Sequence, residues 1–191
     1  MTTRRAALKE GRRADLLRSA AALFAQRGFA GVSTTELGDA VGMTGPALYN
    51  YFPSKDALLS ALLVDASERL LAGGRRIHSE EDVADVALGR LIAFHLDFAT
   101  TEPDVIRVQD RELATLDEEN RHTVRSLQRQ YVQVWDDVLA PLLPDASADE
   151  RLTRLLAVFG LLNSTPHSDR SEATVELLAT MASAALVAPT R

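Results

Sequence analysis

The chain has no cysteine. That excludes a disulfide framework and any thiolate-held metal, and it leaves an oxidising compartment nothing to act on. The cytoplasm is the expected location. Glycine and proline are scarce, 10 and 7 of 191 residues, so turn punctuation is thin and helices are favoured. Long apolar runs are missing too. The longest uncharged stretch, Leu177 to Thr190, contains polar members and is shorter than the ~20 residues a bilayer span needs. The charged N-terminus is not followed by an apolar core, so neither export nor membrane insertion is expected. No segment alternates as a strand does, and there is no internal repeat or low-complexity tract. Catalytic signatures are equally absent: no H-E-x-x-H, G-x-S-x-G, Walker loop or G-x-G-x-x-G occurs. Glu119 and His122 have the E-x-x-H spacing of di-iron bundles, but His78, His95 and His167 follow Arg75, Ile92 and Ser164 by three residues, so no second motif exists. No enzyme activity, cofactor or metal site is expected.

What is present is concentrated between Ser33 and Lys55, STTELGDAVGMTGPALYNYFPSK. Ser33 and Glu36 have capping-box spacing, so a helix starts near Thr34. Leu37, Ala40 and Val41 form its buried stripe, and Gly42 falls where a left-handed cap residue is needed. Thr44 caps a second helix with Pro46 in its first turn and Leu48 and Phe52 facing inward. Pro53 ends it, and Ser54 caps a third whose first turn carries Lys55. This is helix-turn-helix grammar. Two short capped helices around a glycine also occur in proteins that never touch nucleic acid. The outward face separates the readings: Thr44, Gly45, Tyr49, Asn50 and Tyr51 offer donors and acceptors with little bulk, which suits a major groove.

Net charge is −6, with a pronounced asymmetry. Residues 1–55 hold eight Arg or Lys against four acids, and the remainder 13 against 23. A basic head on an acidic body orients toward phosphate. Leu17, Ala20, Ala21 and Phe24 predict an amphipathic helix from about Gly11 to Arg27, preceded by a flexible basic arm over 1–11. A fourth helix runs from Lys55 to about Ala72, where Gly73 and Gly74 interrupt it. From about Glu80 onward the pattern stays helical, punctuated at Pro103, Pro141, Pro144 and Pro166.

The pattern T-x-x-L-x-x-x-V-G-x-T-x-x-x-L-Y-x-Y-F-x-S-K near the N-terminus of a chain this long resembles the TetR family of transcriptional regulators, specifically over residues 12–60. One departure is Asn50 and Tyr51, where many members carry a histidine. The resemblance implies an all-α protein of about nine helices: a three-helix DNA-binding domain over 1–54, then an effector-binding and dimerisation domain over 55–191. It places Ser33, Thr34, Thr35 and Lys55 on phosphates and Thr44, Gly45, Pro46, Ala47, Tyr49, Asn50 and Tyr51 at the groove. The implied partners are a palindromic operator in double-stranded DNA, a second copy of the chain and a small effector that releases the DNA.

Broad apolar faces on the last two helices, including Leu155, Phe159, Leu162, Leu178 and Met181, read either as core or as a dimer interface; the resemblance favours the homodimer. On the middle helices, Phe94, Phe98, Arg107, Arg111, Gln128, Tyr131 and Trp135, with His95, Gln109, Arg121 and Arg125 between them, suggest an apolar cavity with a cationic rim. Interleaved acids leave open that the arginines are surface ion pairs, and Tyr131 and Trp135 serve equally as core. The stretch ending in Gln130, Trp135, Asp137, Val138 and Leu139 is similar to the branch of the family that responds to acyl-CoA thioesters of lipid or branched-chain amino acid catabolism. The alternatives are a drug- or toxin-responsive efflux repressor and, outside regulation, a helical adaptor whose basic head binds an acidic protein.

Overall fold

The computed structural model describes residues 4–165, 168 and 171–189. Among them there are nine α-helices and no strand. In chain order they are α1 (Arg4–Arg27), α2 (Thr34–Asp39), α3 (Gly45–Leu48), α4 (Lys55–Glu80), α5 (Ala84–Thr101), α6 (Pro103–Glu112), α7 (Glu118–Leu139), α8 (Ala148–Leu162) and α9 (Glu172–Val187). Short 3₁₀ turns follow α6 and α7. Serine or aspartate caps start most of them: the side chains of Ser33, Ser54, Asp117, Ser147 and Ser171 each accept a first-turn N–H. Pro103 opens α6, where its missing N–H costs nothing. Pro166 and His167 lie outside the described residues.

Two expectations about helix ends are corrected. The basic arm is helical from Arg4 onward rather than flexible to residue 11, because the segment RRAALKE is made of strong helix formers. Helix α4 passes through Gly73 and Gly74 to Glu80 without a break. There the glycines provide clearance: a Cβ on Gly73 would strike the Phe94 ring, and one on Gly74 would lie 2.7 Å from the Tyr131 ring. Gly28 and Gly42, at φ +77° and +67°, end α1 and α2 in the left-handed region that favours glycine.

Two apolar cores result. The first joins α1, α2 and α3 to the N-terminal half of α4 and then to Phe98, Val105, Ile106, Val108 and Val124 of α5, α6 and α7. It is therefore continuous past residue 54 into the body. The second packs Leu71 and Ile77 of α4 against α5, α7, α8 and α9, with Trp135 fully buried near its centre.

Candidate functional site

The head presents a short α2 and a shorter α3. Ser33 and Glu36 form the complete capping box, and Arg27 closes on Glu36 at 2.7 Å. Hydrogen bonds from the Ser33 backbone and hydroxyl, with Arg27, hold the Glu36 carboxyl down at about 2. Thr44 occupies the N-cap of α3, but its hydroxyl makes no cap bond. Thr35, Thr44, Pro46, Tyr49 and Asn50 are exposed along one surface, and Gly45 is the first residue of α3. Tyr49 keeps half its surface in solvent.

Five residues expected at this surface are placed differently. The Lys55 ammonium donates to the carbonyls of Phe29 and Val32 at 2.8 and 2.9 Å and sits 4.3 Å over the Phe29 ring, so it ties down the α1–α2 connection. Ala47 on α3 and Tyr51 just beyond its end are half-buried against the first core, holding the short helix down. The Ser33 hydroxyl is consumed by Glu36. Thr34 is partly buried at the start of α2. Several basic residues are likewise internally engaged: Arg13 with Glu10 and Asp65, Arg18 with Asp15. Arg4, Lys9 and Arg12 have no such partner among the described residues and stand exposed on the first turns of α1.

In the body, α4, α5, α6, α7 and α8 line a cavity of about 250 Å³ that is partly open to solvent. Its walls are apolar: Leu70, Phe98, Val105, Ile106, Val132, Leu156 and Phe159. Its polar groups are Ser67, His95, Gln109, Gln128, Tyr131 and Asn163, and no ionised side chain lines it. His95 is buried, with Nε2 3.0 Å from Asn163 Oδ1 and Nδ1 3.4 Å from the Tyr131 hydroxyl. A neutral ring donating to Asn163 and accepting from Tyr131 satisfies both bonds. Burial, opposed by the Asn163 bond, lowers its pKa to about 4 and keeps it neutral. Burial also raises the Tyr131 phenol. His95 and Tyr131 stack at 5.9 Å between Trp135 and Phe159. Ser67 Oγ donates back to the Leu63 carbonyl, whereas the side-chain amides of Gln109 and Gln128 have no internal partner among the described residues.

Of the expected ligand residues, Phe98, Gln128 and Tyr131 line this cavity and four do not. Phe94 lies over Gly73. Trp135 is core. Arg107 pairs with Asp104 at 3.0 Å, since it points along the surface of α6. Arg111 reaches away from the cavity to the Ala25 carbonyl at the end of α1, 2.9 Å distant. The expected cationic rim is therefore not built from these arginines. His95 shares the spacing pattern of Phe94 and Phe98; Asn163 caps the end of α8 and carries no periodic signal.

The expected interface residues divide as well. Leu155, Leu162 and Leu178 are buried in the protomer's own second core, because they occupy the faces where α8 and α9 meet α5 and α7. Phe159 is half-buried beside His95. Met181 alone of the five is exposed, with Leu177 beside it on α9 and Ala157 and Gly160 on α8.

Residues 16–62 match the family described as bacterial regulatory proteins, tetR family, and residues 83–167 match the tetracyclin repressor-like C-terminal domain. The chain belongs to the TetR family. As a TetR-family protein it is a transcriptional regulator with a helix-turn-helix head, not an enzyme. It is 27% identical over 140 residues to the HTH-type transcriptional repressor KstR2 of Rhodococcus jostii (strain RHA1), covering 73% of this chain and 69% of that one. In fold it is similar to a TetR-family regulator from Bordetella parapertussis 12822, at 24% identity, 92% and 94% coverage and a TM-score of 0.82. It is also similar to AibR, solved in complex with isovaleryl coenzyme A and operator DNA, at 20% identity, 94% and 100% coverage and a TM-score of 0.77. Among the described residues no helix is long and apolar enough to cross a membrane.

Proposed function

We propose that this TetR-family protein is a homodimeric repressor of a palindromic operator, released by an acyl-CoA thioester whose acyl group is short or branched. The observation that carries the effector assignment is the cavity lining, apolar with neutral polar groups and no charge. A buried cation would lack a counter-charge there, which argues against the drug-responsive alternative, and a free carboxylate would be equally unpaired. A thioester is neutral, and the unengaged amides of Gln109 and Gln128 match its carbonyl and the amides of its pantetheine arm. A volume of about 250 Å³ is the share of roughly eight waters in the liquid, which suits an acyl group of a few carbons. The isovaleryl coenzyme A in the AibR complex supports a ligand of this kind in this fold.

On the DNA side, Thr44, Gly45, Pro46, Tyr49 and Asn50 would face the groove, with Thr34, Thr35 and the helix N-termini toward the backbone and Arg4, Lys9 and Arg12 adding phosphate contacts. Helix α6 would couple the two sites. It lines the cavity with Val105, Ile106 and Gln109, and at its end Arg111 and Glu112 bond Ala25 and the Phe29 N–H of the head. Effector binding then favours a head separation that no longer fits the groove. Release by ~100-fold requires a coupling of about 2.7 kcal/mol.

The test is fluorescence anisotropy on DNA from the gene's own upstream region at ~150 mM salt with scrambled competitor, repeated with a panel of acyl-CoAs. Selective binding abolished by one short thioester is the expected result. Selective binding indifferent to the whole panel would remove the effector assignment, and salt-labile binding without sequence preference would point instead to an adaptor.

A further inference from the structure

A second cleft adjoins the cavity. It has a volume of about 520 Å³, lies between α7 and α8 and shares Gln128, Val132 and Leu156 with the cavity wall. Arg125 and Arg129 stand one turn apart on its α7 wall. Their isolation is unusual for this molecule. Beyond Lys55, the other described arginines are all engaged: by carboxylates at Arg69, Arg76, Arg90, Arg107, Arg151 and Arg154, by Gln130 at Arg75, and by carbonyls at Arg111 and Arg121. Arg125 and Arg129 are exposed and have neither an ion pair nor a hydrogen bond among the described residues.

The acids of the cleft do not cancel them. Asp136 is held by Arg151 through two bonds of 2.7 and 3.1 Å. Asp149 lies in the first turn of α8, where it faces that helix's own unpaired amides. Four residues apart on one helix, Arg125 and Arg129 have Cβ atoms about 6 Å apart, so both guanidinium groups can reach the same phosphate oxygens.

We propose that the α7–α8 cleft binds the phosphate-bearing part of the effector through Arg125 and Arg129, while the neutral end passes by Gln128 into the adjoining cavity. This assignment rests on the acyl-CoA reading above. It divides the effector by chemistry: the apolar acyl group selects by fit, and the phosphates contribute affinity through charge. The salt dependence of effector binding then resides in these two side chains.

Isothermal titration calorimetry with isovaleryl-CoA, butyryl-CoA and octanoyl-CoA, each beside its acyl-pantetheine counterpart without phosphates, tests it. The proteins are the wild type and the Arg125→Gln/Arg129→Gln variant, whose exposed, unpartnered side chains leave melting unchanged. The expected result is that a thioester binding the wild type loses at least tenfold in affinity in the variant, while its pantetheine counterpart binds both proteins alike. Equal acyl-CoA affinity in the two proteins would overturn the cleft assignment and leave the acyl-CoA reading intact. If none of the three thioesters binds the wild type, both fall.

Discussion

Gly73 and Gly74 are neighbours in sequence with different obligations. Gly→Ala in a helix interior gains up to ~1 kcal/mol in propensity, whereas forcing volume into a packed site costs roughly 1–3 kcal/mol. At Gly73 the obstacle is the tip of Phe94, a half-buried ring able to swing aside. At Gly74 it is the edge of Tyr131, fixed among His95, Trp135 and Phe159. Gly74→Ala should therefore lower stability by about 1–2 kcal/mol in urea denaturation while Gly73→Ala stays near neutral; a Gly74→Ala protein more stable than wild type would show that Tyr131 yields. The same ring cluster sets a pH response. His95 binds protons less readily folded, near 4, than unfolded, near 6.5, so the unfolded state takes up more protons as pH falls between those values. Its contribution is fully present above 6.5 and is lost progressively toward 4, on the order of 3 kcal/mol in all. Stability of His95→Gln measured from pH 7 to 4.5 should decline less steeply than wild type; parallel curves would mean that other groups carry the acid response.

Elements are held to one another by side chains whose roles spacing alone does not disclose. Lys55 at the head of α4 closes two carbonyls of the α1–α2 connection, and charge-assisted bonds of this kind contribute about 1.5–3 kcal/mol each. Lys55→Gln should lower the melting temperature while leaving the salt slope of DNA binding unchanged, whereas Arg12→Ala, on an exposed turn of α1, should reduce that slope by about one. The opposite pattern would restore Lys55 to the phosphates. Helix α6 invites a second test. With its end cut loose by Arg111→Ala/Glu112→Ala, effector affinity in the absence of DNA should hold, while the effector's weakening of DNA binding should shrink several-fold. Unchanged coupling would move transmission to α4 alone. The capping box, the glycine caps and the helix count were legible in the sequence because each rests on local rules written within four or five residues. The cavity was half legible: Phe98, Gln128 and Tyr131 follow helical periodicity, but Asn163 depends on where α8 ends in space. The arginines misled for a related reason. Arg107 and Arg111 lie two residues either side of Gln109, on the opposite face of α6, where they bond Asp104 and Ala25; their residue type suggested a rim that their position does not allow.

At the scale of the whole molecule, among the described residues α8 and α9 together leave an apolar surface exposed. Leu177 and Met181 of α9 are 59% and 46% exposed, and Ala157 and Gly160 of α8 lie open, with nothing within 4 Å of a Cβ built on Gly160. Small residues on one helix beside large ones on the next allow ridges to seat in grooves, and a twofold axis makes such a surface self-complementary. The proposed palindromic site would supply the functional reason, because the two recognition helices of a dimer must fall one turn of DNA, roughly 34–36 Å, apart. Leu177→Glu and Leu178→Glu separate interface from core although the two positions are adjacent: Leu178 is 8% exposed and packs in the second core. Leu177→Glu should sediment as a folded monomer with unchanged helical circular dichroism and should lose most of its operator affinity, since the second head no longer binds at high effective concentration. Leu178→Glu buries a charge beside α5 and should unfold or aggregate. A Leu177→Glu protein that remains dimeric at micromolar concentration would place the twofold contact elsewhere on the body and require the head spacing to be set by another pair of helices.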